Sequence, residues 1–162
     1  MVLGIVLLVI LLVVLFLYIM LFKEYSEVMA NFETLVKVIE TRDLLLMRIL
    51  PEIKSKKIKA EMTELVDKRM SAKKQGNDAL IKCDVDINKK LKPIYDEINK
   101  SQNPIVREEF RRVINLEKKL KVIRREYNTA VEKYNARITK NPKLFLKHLR
   151  MRPLNTYEFK NI

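Results

Sequence analysis

Residues 1–22, MVLGIVLLVILLVVLFLYIMLF, hold no charged side chain, and Tyr18 is their only polar group. As a helix at about 1.5 Å per residue, such a run covers roughly 33 Å, enough to cross a hydrocarbon core of about 30 Å. It carries no basic residue ahead of it, exceeds the 7–15 residues of a signal-peptide core, and meets Lys23-Glu24-Tyr25 rather than a small-residue cleavage site. The run therefore reads as a retained transmembrane anchor, 1–22. No breaker separates Phe22 from Tyr25, so the anchor is expected to continue directly into the helix that follows.

Lys23, Lys37 and Arg42 follow the span and no Lys or Arg precedes it. The positive-inside rule then sets the N-terminus outside and the domain in the cytoplasm. The net charge of +13 is uneven: residues 1–50 balance at −1, so the whole excess lies in 51–162. Such an excess suits anionic partners, or serves only as a solvated lysine-rich surface. The single Cys83 excludes an internal disulfide, and with His148 as the one histidine no tetrahedral zinc site can be built.

Beyond Lys23 the apolar residues recur at steps of three and four: Tyr25, Met29, Phe32, Val36, Ile39, Leu46, Leu50 and Ile53. That spacing forms one stripe on a helix and predicts a bundle seam. Asp43 falls on the seam where a leucine is expected. Pro51 marks a bend, and 52–75 repeats the pattern with Ile58, Met62, Leu65, Val66 and Arg69. Gly76-Asn77 is a helix stop followed by a new start. A third helix carries Leu80, Ile87, Leu91, Ile94 and Ile98, with Pro93 inside it predicting a kink or break. After the turn at 101–104, a fourth helix to about 140 has Val106, Phe110, Val113, Leu120, Ile123, Tyr127, Val131, Tyr134 and Ile138 on one face, with Glu117 as the polar exception.

The expected architecture is all-α: a transmembrane helix, 1–22, continuing into an antiparallel bundle of four helices, 23–141, and a basic tail, 142–162. Short turns between helices favour antiparallel neighbours. An even helix count would return the tail toward the bilayer.

Asp43 and Glu117 admit two readings. One is an acid/base or metal site; the other, favoured here, is a buried network pairing each with an arginine such as Arg42, Arg48, Arg69 or Arg124. If such an arginine could reach solvent, Glu117→Leu would leave the fold intact or strengthen it. Lys140, Lys143, Lys147, Arg150 and Arg152, with Phe145, Leu146, Leu149 and Met151 among them, form a basic amphipathic stretch. It suits anionic lipid headgroups, or else caps the bundle with its apolar residues. Lys54-Ser55-Lys56-Lys57-Ile58-Lys59 is a second basic cluster without interleaved aromatics, which makes nucleic-acid binding the minority alternative. No phosphate loop, nucleophile motif or dinucleotide fingerprint is present, and no cofactor is expected.

The run Arg125-Glu126-Tyr127-Asn128-Thr129-Ala130-Val131, closed by Tyr134-Asn135, resembles the R-x-Y-N-x-A-V-x-x-Y-N signature of the LemA family. Glu117, seven residues before Arg124, resembles the family's acidic residue on the same helix. Arg42-Asp43-Leu44 resembles its R-x-D-L-I-P stretch, departing from it at Leu46, where a proline is expected. Tyr157-Glu158-Phe159 resembles the aromatic end of the family's tail. The resemblance implies a membrane-anchored helical bundle with no assigned reaction. It also implies a shared role for Asp43, Glu117, Arg124, Tyr127, Asn128, Tyr134 and Asn135, most simply as polar ties between helices. The protein partner and the process served are not implied.

Overall fold

The computed structural model describes residues 2–73, 75–99, 103–140 and 153–157. Among them are four α-helices, α1 Val2–Ile49, α2 Lys56–Ala72, α3 Asn77–Ile98 and α4 Pro104–Lys140, and no strand. The protein is an all-α helical bundle entered by a long apolar helix. The chain divides into two compact units, residues 1–33 with 125–156, and residues 34–124 with 157–162.

In the first unit, α1 is unbroken through Phe22-Lys23-Glu24, as the absence of any breaker requires. From Val2 to Met20 its side chains are exposed or half-exposed on every face. Leu21 is the first that is wholly buried. From there the helix runs antiparallel to α4: Glu24 pairs with Arg137, the Tyr25 ring packs tilted against Tyr134, Glu27 pairs with Lys133, and the Phe32 ring packs tilted against Tyr127. Rising numbers on α1 meet falling numbers on α4. The end of α4 therefore reaches the end of the apolar run, where an Arg137 Nη1–H donates to Met20 Sδ at 3.7 Å. Among the described residues one helix, α1, is long and apolar enough to cross a membrane.

The second unit packs Leu46, Ile49, Leu50 and Ile53 against Met62 and Val66 of α2, Ile87, Leu91, Ile94 and Ile98 of α3, and Val106, Phe110 and Val113 of α4. Each such side chain contributes about 1.5–3 kcal/mol on leaving water. Pro51 sits in a 3-10 turn, Leu50–Glu52, that ends α1. The Ser55 hydroxyl then accepts from Ile58 N–H at 3.3 Å and starts α2 later than the sequence pattern suggests. Gly76 takes φ 110°, a left-handed conformation open to glycine, and reverses the chain between α2 and α3. Asn103 caps α4: its side-chain oxygen accepts from Ile105 N–H at 3.0 Å, and Pro104 fills the first helical position, which needs no donor. Asn103→Ala is expected to cost about 1 kcal/mol, read as a lower denaturation midpoint at unchanged slope.

Two expectations are corrected. The seam of α1 lies partly one residue earlier than the periodicity of Tyr25, Met29 and Val36 suggests: Glu24, Val28 and Leu35 are buried instead. One row with a seven-residue step, Leu21-Val28-Leu35-Arg42-Ile49, is buried throughout; beside it Phe32, Ile39 and Leu46 are buried while Tyr25 is exposed, and the sequence pattern caught mainly this second set. Pro93 does not break α3. Leu91 and Ile94 on either side of it are buried in the core and hold the helix through the missing hydrogen bond.

Candidate functional site: a buried cluster of charges

The stripe that packs the second unit is interrupted on every helix by charged side chains, and the interruptions meet. Arg42 and Asp43 come from α1, Arg69 from α2, Asp84 and Asn88 from α3, and Glu117 and Arg124 from α4. Their residue spacing makes this unavoidable. Arg42 stands on the Leu21-Val28-Leu35-Ile49 row, and Asp84 is the rung missing between Leu80 and Ile87. Glu117 is the rung between Val113 and Leu120.

Arg42 is the centre, with no exposed surface. Its Nη2 lies 2.8 Å from Asp43 Oδ1 and 2.6 Å from Asp84 Oδ1. Its Nη1 donates to Glu117 Oε1 at 2.7 Å and to Asn88 Oδ1 at 2.9 Å. A second ring of pairs closes the cluster. Arg124 reaches Asp84 Oδ2 at 2.7 Å and Glu117 Oε2 at 3.2 Å, and Arg69 Nε faces Asp43 Oδ2. The phenol of Tyr157 donates to Asp84 Oδ2, and its ring lies under the Arg124 guanidinium, 5.1 Å from centroid to Cζ. Three guanidiniums thus face three carboxylates, so the cluster carries no net charge.

The electrostatics follow from that balance. Burial by itself would lower the Arg42 pKa, but Asp84, then Asp43 and Glu117, more than offset it and hold the guanidinium above its ordinary value. Burial also pushes the Asp43 carboxyl above the usual carboxylate range, with Arg42 and Arg69 pulling it back. Arg42 fills the space between Asp43 and Glu117, so a cation could bind both only by displacing it. Each of the three carboxylates is turned toward guanidinium groups rather than toward a space that a substrate could enter. As chemistry, the arrangement ties α1, α2, α3 and α4 together through ion pairs, the kind of buried network best suited to fixing helix register.

The residues singled out in the sequence separate into three places. Asp43, Glu117 and Arg124 lie in the cluster together with Arg42 and Arg69, whereas Arg48 is exposed at the end of α1. Tyr134 is buried in the first unit against Tyr25, and Asn128 is half-buried. Tyr127 packs its ring on Phe32 of α1, and both Tyr127 and Asn135 also bind main chain beyond α4. The Asn135 amide brackets the main chain of Leu154, donating to its carbonyl at 2.8 Å and accepting from its N–H at 2.9 Å. The Tyr127 hydroxyl donates to the carbonyl of Asn155 at 3.3 Å. These side chains hold the main chain of Leu154 and Asn155 on α4. Lys140 is exposed at the end of α4; Lys143, Lys147, Arg150 and Arg152 lie outside the described residues.

Asp84 and Asn88 were not legible as partners from single positions, though the gap in the α3 stripe at 84 marks the first. Among the described residues no group of three or more His, Cys, Asp and Glu is placed to hold a metal ion. Cys83, beside Asp84 on α3, is a half-buried free thiol whose pKa is pushed up by burial, with Asp86 adding to it. It is expected to react with a disulfide reagent at pH 7.5 more slowly than free cysteine, and at the free rate once the protein is unfolded.

Comparison of the chain with protein-family models, with curated proteins and with solved structures returns no match.

Proposed function

We propose that this chain is a single-pass membrane protein of the LemA type, whose helical bundle acts without catalysing a reaction, as a scaffold or interaction module at the cytoplasmic face of the inner membrane. The observation that carries this reading is the change in α1 at Leu21. Before it the side chains are apolar and exposed all round; after it the same unbroken helix is a bundle member. A helix of exposed Leu, Val and Ile is at home in lipid and not in water. The orientation is supported by the basic flank at Lys23, Lys37 and Arg42. The non-catalytic part is supported by the carboxylates of the cluster facing guanidiniums.

The LemA assignment rests on the 125–135 signature, and the placing of its Tyr127 and Asn135 on one extended segment gives two of its residues a physical task. Anionic lipid contact by Lys140, Lys143, Lys147, Arg150 and Arg152 is supported by the return of α4 to the end of the apolar run.

The test uses the full chain expressed in bacteria. It should stay in carbonate-washed membranes, be protected from trypsin in intact spheroplasts, and be digested in inverted vesicles. Recovery in the soluble fraction would end the anchor reading, and digestion from the outside would reverse the orientation.

A further inference from the structure

In the first unit the ion pairs between α1 and α4 form a ladder that runs out of carboxylates at its last rung. Glu27 pairs with Lys133 at 3.0 Å, and one turn nearer the apolar run Glu24 pairs with Arg137 at 2.8 Å. On α1, Met20, Lys23, Glu24 and Glu27 stand at i, i+3, i+4 and i+7; on α4, Lys133, Arg137 and Lys140 stand at i, i+4 and i+7. Each set therefore lies along one flank of its helix. The next rung on α4 is Lys140, and residues 1–23 of α1 offer it no acidic partner. Lys23 and Lys140 are exposed, and among the described residues neither pairs with a carboxylate. Four basic residues, Lys23, Lys133, Arg137 and Lys140, thus stand against two acidic ones, Glu24 and Glu27.

The height of that rung decides what can fill it. An Arg137 Nη1–H reaches Met20 Sδ at 3.7 Å, which sets the end of α4 level with the last turn of the apolar run. Where such a run spans a bilayer, that level is the headgroup layer, where lipid phosphates lie. Each Cα–Cβ bond tilts toward the N-terminus of its own helix. On antiparallel helices Lys23 therefore leans toward the apolar run and Lys140 leans away from it, so both ammonium groups converge on the one boundary layer. Arg137 and Lys140, the basic residues in the last turn of α4, also offset the negative end of its dipole, which would otherwise repel an anion.

We propose that Lys23, Arg137 and Lys140 form a binding site for the phosphate headgroup of an acidic phospholipid, which supplies the counter-ion that the last rung lacks. The proposal rests on the anchor reading above and narrows the lipid contact: the headgroup is held by the end of the α1–α4 pair itself, not by the tail. Its phosphate accepts from the two lysines, while Arg137, already turned to Glu24, adds charge from behind. The acyl chains lie along the exposed Leu, Val and Ile side chains of α1. The fitting ligand is a phosphodiester with net negative charge, because a zwitterionic headgroup brings an ammonium of its own to compete with the lysines. A free phosphate offers the same acceptor oxygens but no chains to lie on α1.

The experiment reconstitutes the full chain in phosphatidylcholine vesicles that carry a trace of spin-labelled phosphatidylglycerol or spin-labelled phosphatidylcholine. Electron paramagnetic resonance reads the motionally restricted fraction of each label. The wild type should restrict the phosphatidylglycerol label several-fold more than the phosphatidylcholine label. Lys23→Gln with Lys140→Gln should bring the two labels near parity. Lys118→Gln with Lys119→Gln removes the same charge from exposed positions of α4 in the second unit and should leave the preference intact. Parity in the wild type overturns the site, as does a preference that survives the first pair of substitutions or falls equally with the second. Flotation is scored in the same samples: a chain that does not float ends the anchor reading and the site with it, while one that floats without preference ends the site alone. Excess inorganic phosphate at constant ionic strength should not lower the preference; if it does, the site takes a free anion and the lipid is overturned. If a substituted chain misfolds, the wild-type melting temperature in neutral detergent decides. Phosphatidylglycerol should raise it and phosphatidylcholine should not, and equal shifts overturn the proposal.

Discussion

Arg42→Met should destabilise the protein by about 3–5 kcal/mol, the range for removing one partner of a buried ion pair. For a chain of this size that is a fall in melting temperature of about 10 °C or more, measured by circular dichroism on the full chain in detergent. The effect is large because of what remains. Asp43 keeps Arg69, and Glu117 keeps Arg124, but Asp84 Oδ1 faces only Arg42 and is left a buried, unpaired oxygen. Two guanidiniums then oppose three carboxylates in a site whose central side chain has no path to solvent. The same geometry revises the expectation for Glu117→Leu. Its partner Arg42 cannot turn to water, so that substitution should destabilise too, by about 1–3 kcal/mol, the smaller figure reflecting a carboxylate side chain that is 22 % exposed. An unchanged melting temperature for Arg42→Met would show that the cluster is not the buried centre of the bundle.

A cluster so costly to break need not be a source of net stability. Replacing Arg42, Asp43, Arg69, Asp84, Glu117 and Arg124 together by Met and Leu removes the desolvation of six charges along with their mutual attraction, and such swaps are commonly neutral or stabilising by about 1–4 kcal/mol. The charges stand at positions where the surrounding pattern calls for leucine, which fits a role in alignment better than one in strength. A seven-residue slide of α1 on α4 would superpose apolar rows almost as well, but it would bring Leu35 or Ile49 to the carboxylates and bury Arg42 among apolar side chains.

The legible part of the fold was what repeats. The periodicity of α4 identifies its buried face almost residue for residue, because a long helix packed along one side must keep one stripe. Pro51, Gly76 and Pro104 punctuate the chain by backbone chemistry that needs no partner to act. Less legible was the phase of α1, since rows one residue apart are both largely apolar and only packing chooses between them. Arg42 was legible only as one of several arginines that could pair with Asp43 or Glu117, because periodicity marks the carboxylate beside it as the residue out of pattern and does not show which arginine is wholly buried. The segment 153–157 was beyond periodicity altogether, because Asn135 and Tyr127 hold its main chain, and a main-chain contact leaves no residue-type signal on the segment it holds.

Two arginines placed in the apolar run, Leu8→Arg with Leu12→Arg, should move the protein out of the membrane. Each Leu, Ile, Val or Phe near the centre of a span favours insertion by about 0.3–0.6 kcal/mol, and each arginine there opposes it by about 2.5–3.5 kcal/mol. One arginine therefore leaves the run favourable, while two, at roughly 6 kcal/mol together with the leucines lost, bring the sum close to zero. Positions 8 and 12 are separated by one helical turn on the same face, so the two charges cannot both snorkel to opposite interfaces from the centre of the run. The double variant should leave the carbonate-washed membrane fraction while Leu8→Arg alone stays in it, and the bundle should be untouched because Leu21 is the first side chain of the run that is wholly buried. If the double variant remained membrane-bound, the hold on the bilayer would lie beyond residue 22, in the basic surface of α4 and the tail; if the single variant already left, the run would be a marginal helix on the membrane surface and not a span.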